Sequence, residues 1–158
     1  MNHIIEEEFP LQETQSLRYD LLNVLTDADL AFRLPGDNLT LGELCQEIGN
    51  IEHSYIQSFI TLEQDWSYRN ADPKPTTSVA DLKIWYRTLD EAFETVLRGF
   101  SDDDLHSTEI HRGKGIRVSA QTQFEIYREA TMMFYAKASV YLKGLQKSVS
   151  DQWEAWIG

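Results

Sequence analysis

Four histidines, one cysteine and a run of acids are the side chains of this 158-residue chain best suited to hold a metal or move a proton. Their spacing decides what each can do. Asp102, Asp103, Asp104 and His106 form the densest ligand-like cluster. Ser101 and Asp104, however, stand at capping-box spacing, and acids in a first turn favour the helix dipole, so the cluster reads as a helix start. It lacks the Gly-centred loop of an EF-hand calcium site. His106 and His111 are five residues apart and fall on opposite faces of an extended segment, so they do not pair. His3 lies in an N-terminal stretch expected to fray. His53 turns about 150° away from the apolar face of its helix and reads as a surface histidine. Cys45 lies on that buried face, where a thiol is packing rather than a nucleophile.

Glu52 stands apart from the other acids because it falls within the apolar stripe of the second helix. A buried carboxylate needs partners, and Tyr127 or Tyr141 of the last long helix could donate a hydroxyl. Two roles stay open for it: a buried hydrogen bond that fixes helix register, or the polar floor of a pocket with Glu52 as acid or ligand anchor. The chain contains no C-x-x-C, G-x-S-x-G, P-loop or dinucleotide glycine pattern.

The elements that position these residues follow from helical periodicity. A first helix is expected from about Pro10 to Thr26, with Leu17, Leu21, Val24, Leu25 and Ala28 on one stripe and Pro10 in its first turn. Thr26 and Asp29 have capping-box spacing in the continuation that stops before Pro35 and Gly36. A second helix over 40–62 aligns Leu41, Leu44, Cys45, Ile48, Ile51, Tyr55, Phe59 and Leu62, with Thr40 and Glu43 at its cap. The Asp-, Pro-, Thr- and Asn-rich stretch "DWSYRNADPKPTTS" is too long for a tight hairpin and reads as a crossover. Ser78 and Asp81 cap a third helix that carries Val79, Leu82, Tyr86, Leu89, Phe93, Val96, Leu97 and Phe100. "EIHRGKGIRV" reads as two short strands around Gly113 and Gly115. The fourth helix, about 119–146, places Tyr127, Ala130, Phe134, Ala138, Tyr141 and Leu145 on one line. Ile126, Met133 and Val140 widen that line on one side, and Phe124 and Leu142 on the other, as expected of a helix in the middle of a bundle. Trp153, Trp156 and Ile157 give the tail a narrow apolar edge, suited to packing back on the bundle or to a contact between two copies. The expected fold is one all-α domain over 1–158: a four-helix bundle with a long crossover loop, a small hairpin insertion before the last long helix, and a short C-terminal helix.

"LTLGELCQEIGNIEH" on the second helix and "EATMMFYAKASVYLKGL" on the fourth resemble the corresponding parts of the DinB/YfiT-like bacterial helical bundles, over roughly residues 10–146. The order of elements agrees with that family as well. The resemblance implies a divalent metal such as zinc or nickel, held by one histidine of the second helix and an H-x-x-x-H pair of the fourth. It further implies a thiol-using transferase or hydrolase. Those ligand positions fall on Glu47, Ala130 and Phe134 of this chain. Two of them carry no donor atom, and a lone carboxylate is a poor site for zinc or nickel. No metal is therefore expected.

Composition narrows the partners. At 42% apolar and 11% aromatic residues the chain is globular rather than disordered. A net charge of −12 disfavours nucleic acid and anionic membrane surfaces, both of which call for clustered Lys and Arg. The acidic start "MNHIIEEEFP" is unlike a secretion signal, so a cytoplasmic location is expected. The reading at this point is a non-metal bundle with a small-molecule ligand or an interaction role, with a homodimer allowed and the cleft at Glu47, Glu52, Tyr127, Ala130 and Phe134. The alternatives are the metal-dependent enzyme, recruiting Glu47 with groups from the first or third helix, and a purely structural bundle whose cleft Phe134 fills.

Overall fold

The computed structural model describes residues 2–9 and 12–158, so Pro10 lies outside the described residues. The expected periodicity becomes four long helices: α1 (Gln12–Val24), α2 (Leu41–Thr61), α3 (Val79–Leu97) and α5 (Ala120–Gly144). Between the last two come α4 (Asp102–Ser107) and a hairpin of β1 (Glu109–His111) and β2 (Arg117–Ser119), and α6 (Asp151–Trp156) closes the chain. The caps are local and fall where sequence places them. Thr40 accepts from the Glu43 backbone N–H at 3.1 Å, while the Glu43 carboxylate accepts from the Thr40 N–H at 2.7 Å. Ser101 and Asp104 form the same reciprocal box, and Ser78 and Ser119 cap α3 and α5. Each such cap stabilises its helix by about 1 kcal/mol.

α2 and α3 run in the same direction. Near the start of α2, Gly42 lies so close to Thr76 that a Cβ would sit 2.0 Å from its carbonyl oxygen, which only glycine permits. Further along, the Tyr86 hydroxyl donates to the Cys45 carbonyl at 2.7 Å, and near the far end Phe59 packs on Phe93 at 5.4 Å. Parallel neighbours require a connection that travels the length of the bundle, and residues 62–78 do so as the long crossover. α5 runs opposite to α2, since Tyr141 bonds Leu39 before the start of α2 while Tyr127 meets Tyr55 in its second half. α1 runs alongside α5, with Gln15 on Tyr127 and Leu21 and Val24 beside Leu142. The four helices therefore run up, down, down and up.

Several expectations are corrected. α1 ends at Val24, and the Thr26–Asp29 box starts a 3-10 turn over Asp27–Ala31 instead of extending the helix. The break changes the phase, which leaves Ala28 exposed and puts Leu30 in the core, while Leu22 within α1 is buried as well. Leu62 terminates α2 in the left-handed region at φ 61° and is exposed rather than part of the apolar face. α5 is a flank of the bundle, not its middle. Met133 and Val140 are exposed, and the side that α1 and α6 cover buries Thr131, Tyr135 and Leu142. The Tyr135 hydroxyl donates to the Thr14 carbonyl, and its ring packs edge-on against Trp153 at 5.7 Å. Trp153 thus ties the tail back onto the bundle, while Trp156 stays exposed.

The hairpin pairs Ile110 with Val118 and then grips the start of the crossover. The His111 N–H donates to the Leu62 carbonyl at 2.9 Å, and the Gln64 N–H to the His111 carbonyl at 2.7 Å. Gln123 of α5 reinforces that grip by donating to Ser58 and to Gln64.

Candidate functional site

Two polar environments meet on α2. The first surrounds Glu52, which is 1% exposed. Arg18 of α1, equally buried, donates to both the Glu52 and the Asp90 carboxylates. The Tyr127 hydroxyl donates to Glu52 Oε1 at 3.1 Å and accepts from Gln15 Nε2 at the same distance. Tyr19 donates to Asp90 Oδ2 at 2.9 Å, and the Arg18 guanidinium lies 4.4 Å from the centre of the Tyr86 ring. All four long helices thus contribute to one ionic knot.

Burial works against the Arg18 charge, but the two carboxylates beside it hold its pKa well above the ordinary value. Burial pushes the Asp90 carboxyl up to about 6, although Arg18 opposes the shift. The Tyr127 hydroxyl is raised by burial and then by the neighbouring Glu52 charge. Tyr141, the other expected partner of Glu52, donates instead to the Leu39 carbonyl at 2.7 Å. Sequence reasoning missed Arg18 and Asp90. The signal was present, because Arg18 is in phase with Leu21, Leu22 and Leu25, and Asp90 with Tyr86, Phe93 and Leu97.

The second environment is the cleft between α2 and α5. Glu47, Ala130 and Phe134 line one small cavity of about 130 Å³ between these helices, so the three expected positions do converge. Phe134 is 4% exposed, and its ring packs on Tyr135 at 5.4 Å. Glu47 is exposed and makes no hydrogen bond or ion pair among the described residues. It also borders a groove of about 410 Å³ toward Trp66 and another of about 380 Å³ toward Tyr141. Glu52 and Tyr127 belong to the buried knot and do not line this cleft. One carboxylate, a methyl group and a phenyl ring do not fit a divalent metal, which needs nitrogen, sulfur or several oxygen donors.

The remaining candidates are dispersed. His3, expected to fray, is pinned instead: its Nδ1 lies 2.6 Å from Asp102 Oδ1 and its Nε2 3.7 Å from Glu8. That hydrogen bond raises the His3 pKa. The His3 backbone N–H, donating to the same Asp102 oxygen at 3.0 Å, does most to hold the Asp102 carboxyl below its usual range, with the imidazole adding to it. His106 Nδ1 lies 2.8 Å from the Asp102 carbonyl oxygen, and His111 sits 3.3 Å from Glu63. His53 stacks on Tyr68 at 3.6 Å, and burial lowers its pKa. Burial pushes the Cys45 thiol up to about 12, which suits packing and not nucleophilic attack. Among the described residues, no three His, Cys, Asp or Glu side chains converge to hold a metal ion. No helix among them is long and apolar enough to cross a membrane.

Four long helices running up, down, down and up, with a cleft between the second and the fourth of them, define the class of bundle to which this fold belongs. Solved structures give that class its name. The DinB-like protein YjoA of Bacillus subtilis superposes with a TM-score of 0.73 at 12% identity, covering 96% of this chain and 98% of that one. A DinB-like protein of Bacillus cereus ATCC 10987 superposes with a TM-score of 0.72 at 20% identity, covering 92% and 93%. This chain has the DinB-like fold. No protein-family model matches the sequence, and no curated protein does.

Proposed function

We propose that this DinB-like bundle acts in the cytoplasm as a small-molecule-binding protein that uses no divalent metal. The α2–α5 cleft supports the reading, because the positions where the resemblance implies three nitrogen ligands hold Glu47, Ala130 and Phe134 around a single cavity. Two features favour binding over a purely structural role. Open volume persists on both sides of Glu47, and that carboxylate is left unengaged while the other α2 acid turned toward protein, Glu52, is fully paired. The two grooves beside Glu47, about 410 and 380 Å³, are of the size of a small-ligand site.

The direct test is the metal content of the chain purified without chelator and without an affinity tag. The expected result is zinc, nickel and iron far below one per chain. A near-stoichiometric divalent metal would sink the reading in favour of the metal-dependent transferase or hydrolase.

A further inference from the structure

The groove between α2 and the crossover has the more specific chemistry. It rests on the binding reading above and names the class of ligand. Glu47, Asn50 and Ser54 stand at i, i+3 and i+7, so they form one stripe along α2. The crossover is fixed above this stripe as a roof. The Asn70 N–H donates to Asn50 Oδ1 at 2.8 Å, and Gln46 Nε2 donates to the Asp72 carbonyl at 3.1 Å. Trp66 forms a wall, packed edge-on against Tyr55 at 5.4 Å.

Two groups beneath that roof are more than nine-tenths buried and incompletely bonded. Asn50 is 8% exposed, and with its oxygen taken by Asn70 its amide nitrogen has no partner among the described residues. Ser54 is 3% exposed, and its hydroxyl likewise has none. Both line the groove and open their free polar atoms onto it, where water or a ligand's polar group completes them.

Charge selects the ligand. Glu43 at the groove's edge already accepts from the Thr40 N–H and pairs with Arg33. Arg69, the groove's one cation, is drawn to the roof by donating to the Trp66 carbonyl at 2.7 Å and to that of Tyr68. Glu47 is the groove's uncommitted carboxylate, since Glu43 is paired, and the net charge of −12 concentrates cations around the molecule. We propose that this groove binds a small organic amine, with its ammonium on Glu47, its polar substituent on Asn50 and Ser54, and its carbon frame against Trp66.

Calorimetric titration of the full chain with putrescine, ethanolamine and tyramine tests this, with acetate and glycerol as controls. At least one amine should bind saturably at one site. Glu47→Gln should weaken it about tenfold or more by removing a charge-assisted bond, and Ser54→Ala should weaken it a few-fold. An unchanged melting temperature of Glu47→Gln would show that the loss is not one of folding. Two outcomes overturn the inference: no amine saturating up to about 10 mM, or amine binding that Glu47→Gln leaves intact. Saturable binding of acetate or glycerol in place of the amines would overturn the inference yet leave the binding reading standing. Tight zinc or nickel binding through Glu47 would end both.

Discussion

Glu47 and Glu52 are five residues apart on α2, which places them on nearly opposite sides of the helix. Glu52 faces inward and is enclosed by Arg18 and Tyr127, with Asp90 on the far side of the same guanidinium. Glu47 faces the cleft and touches no polar partner among the described residues. One helix thus carries an acid spent on joining four helices and an acid left open to whatever enters. A charge that is fully paired in the interior serves architecture, because disturbing it leaves its partners stranded. A charge at the edge of a cavity contributes little to folding and is available for recognition.

Removing Arg18 should give the largest effect. Arg18→Ala strands two carboxylates in the interior, and the expected loss is about 3–5 kcal/mol, seen as a melting temperature lower by roughly 10 °C. A loss under about 1 kcal/mol would show that the knot is not what joins the helices.

Next comes pH. The Asp90 carboxyl is raised to about 6 in the folded chain, so the native state takes up a proton that the unfolded chain, with an ordinary carboxyl, still lacks. Charged Asp90 therefore costs the fold on the order of 3 kcal/mol at neutral pH, and that cost fades as pH falls through about 6. The stability of the wild type relative to Asp90→Asn should rise between pH 7 and pH 5, as measured by paired denaturant titrations. A constant or falling difference would contradict the sign.

Tyr127→Phe removes the hydroxyl between Gln15 and Glu52 and should cost about 1–2 kcal/mol. Glu47→Gln should be the smallest change, within about 0.5 kcal/mol of the wild type, as for an exposed unpaired side chain. Should the last two exchange places, the contrast between the two acids would be lost.

The local signals in the sequence were legible. The caps at Thr40, Ser78, Ser101 and Ser119 depend only on residues within one turn, and each is present. The apolar stripes of α2 and α3 also read correctly, apart from Leu62, where the left-handed turn ends the helix. The buried face of α5 is rotated from the expected line toward Phe124 and Leu142, which brings in Thr131 and Tyr135 and leaves Met133 and Val140 outside. The Tyr135 and Thr131 hydroxyls are bonded to the Thr14 and Tyr127 carbonyls. Glu52 was legible as a buried acid and Tyr127 as a partner, but Arg18 lies 34 positions away, and no periodicity reports that distance. In the cleft, it is the resemblance to the DinB/YfiT-like bundles that points to Glu47, Ala130 and Phe134 together, and the three line one cavity. The roof over Asn50 and Ser54 could not be read, because the crossover takes its path from the hairpin contacts at His111 and from hydrogen bonds to α2.

The central claim is that the α2–α5 cleft offers one open carboxylate and no metal site. The most direct measurement is the thermal melting of chelator-treated protein with and without a modest excess of zinc or nickel. Any ion bound tightly by the native state must raise the melting temperature. The account predicts no rise. A rise of several degrees that disappears in Glu47→Gln would contradict it.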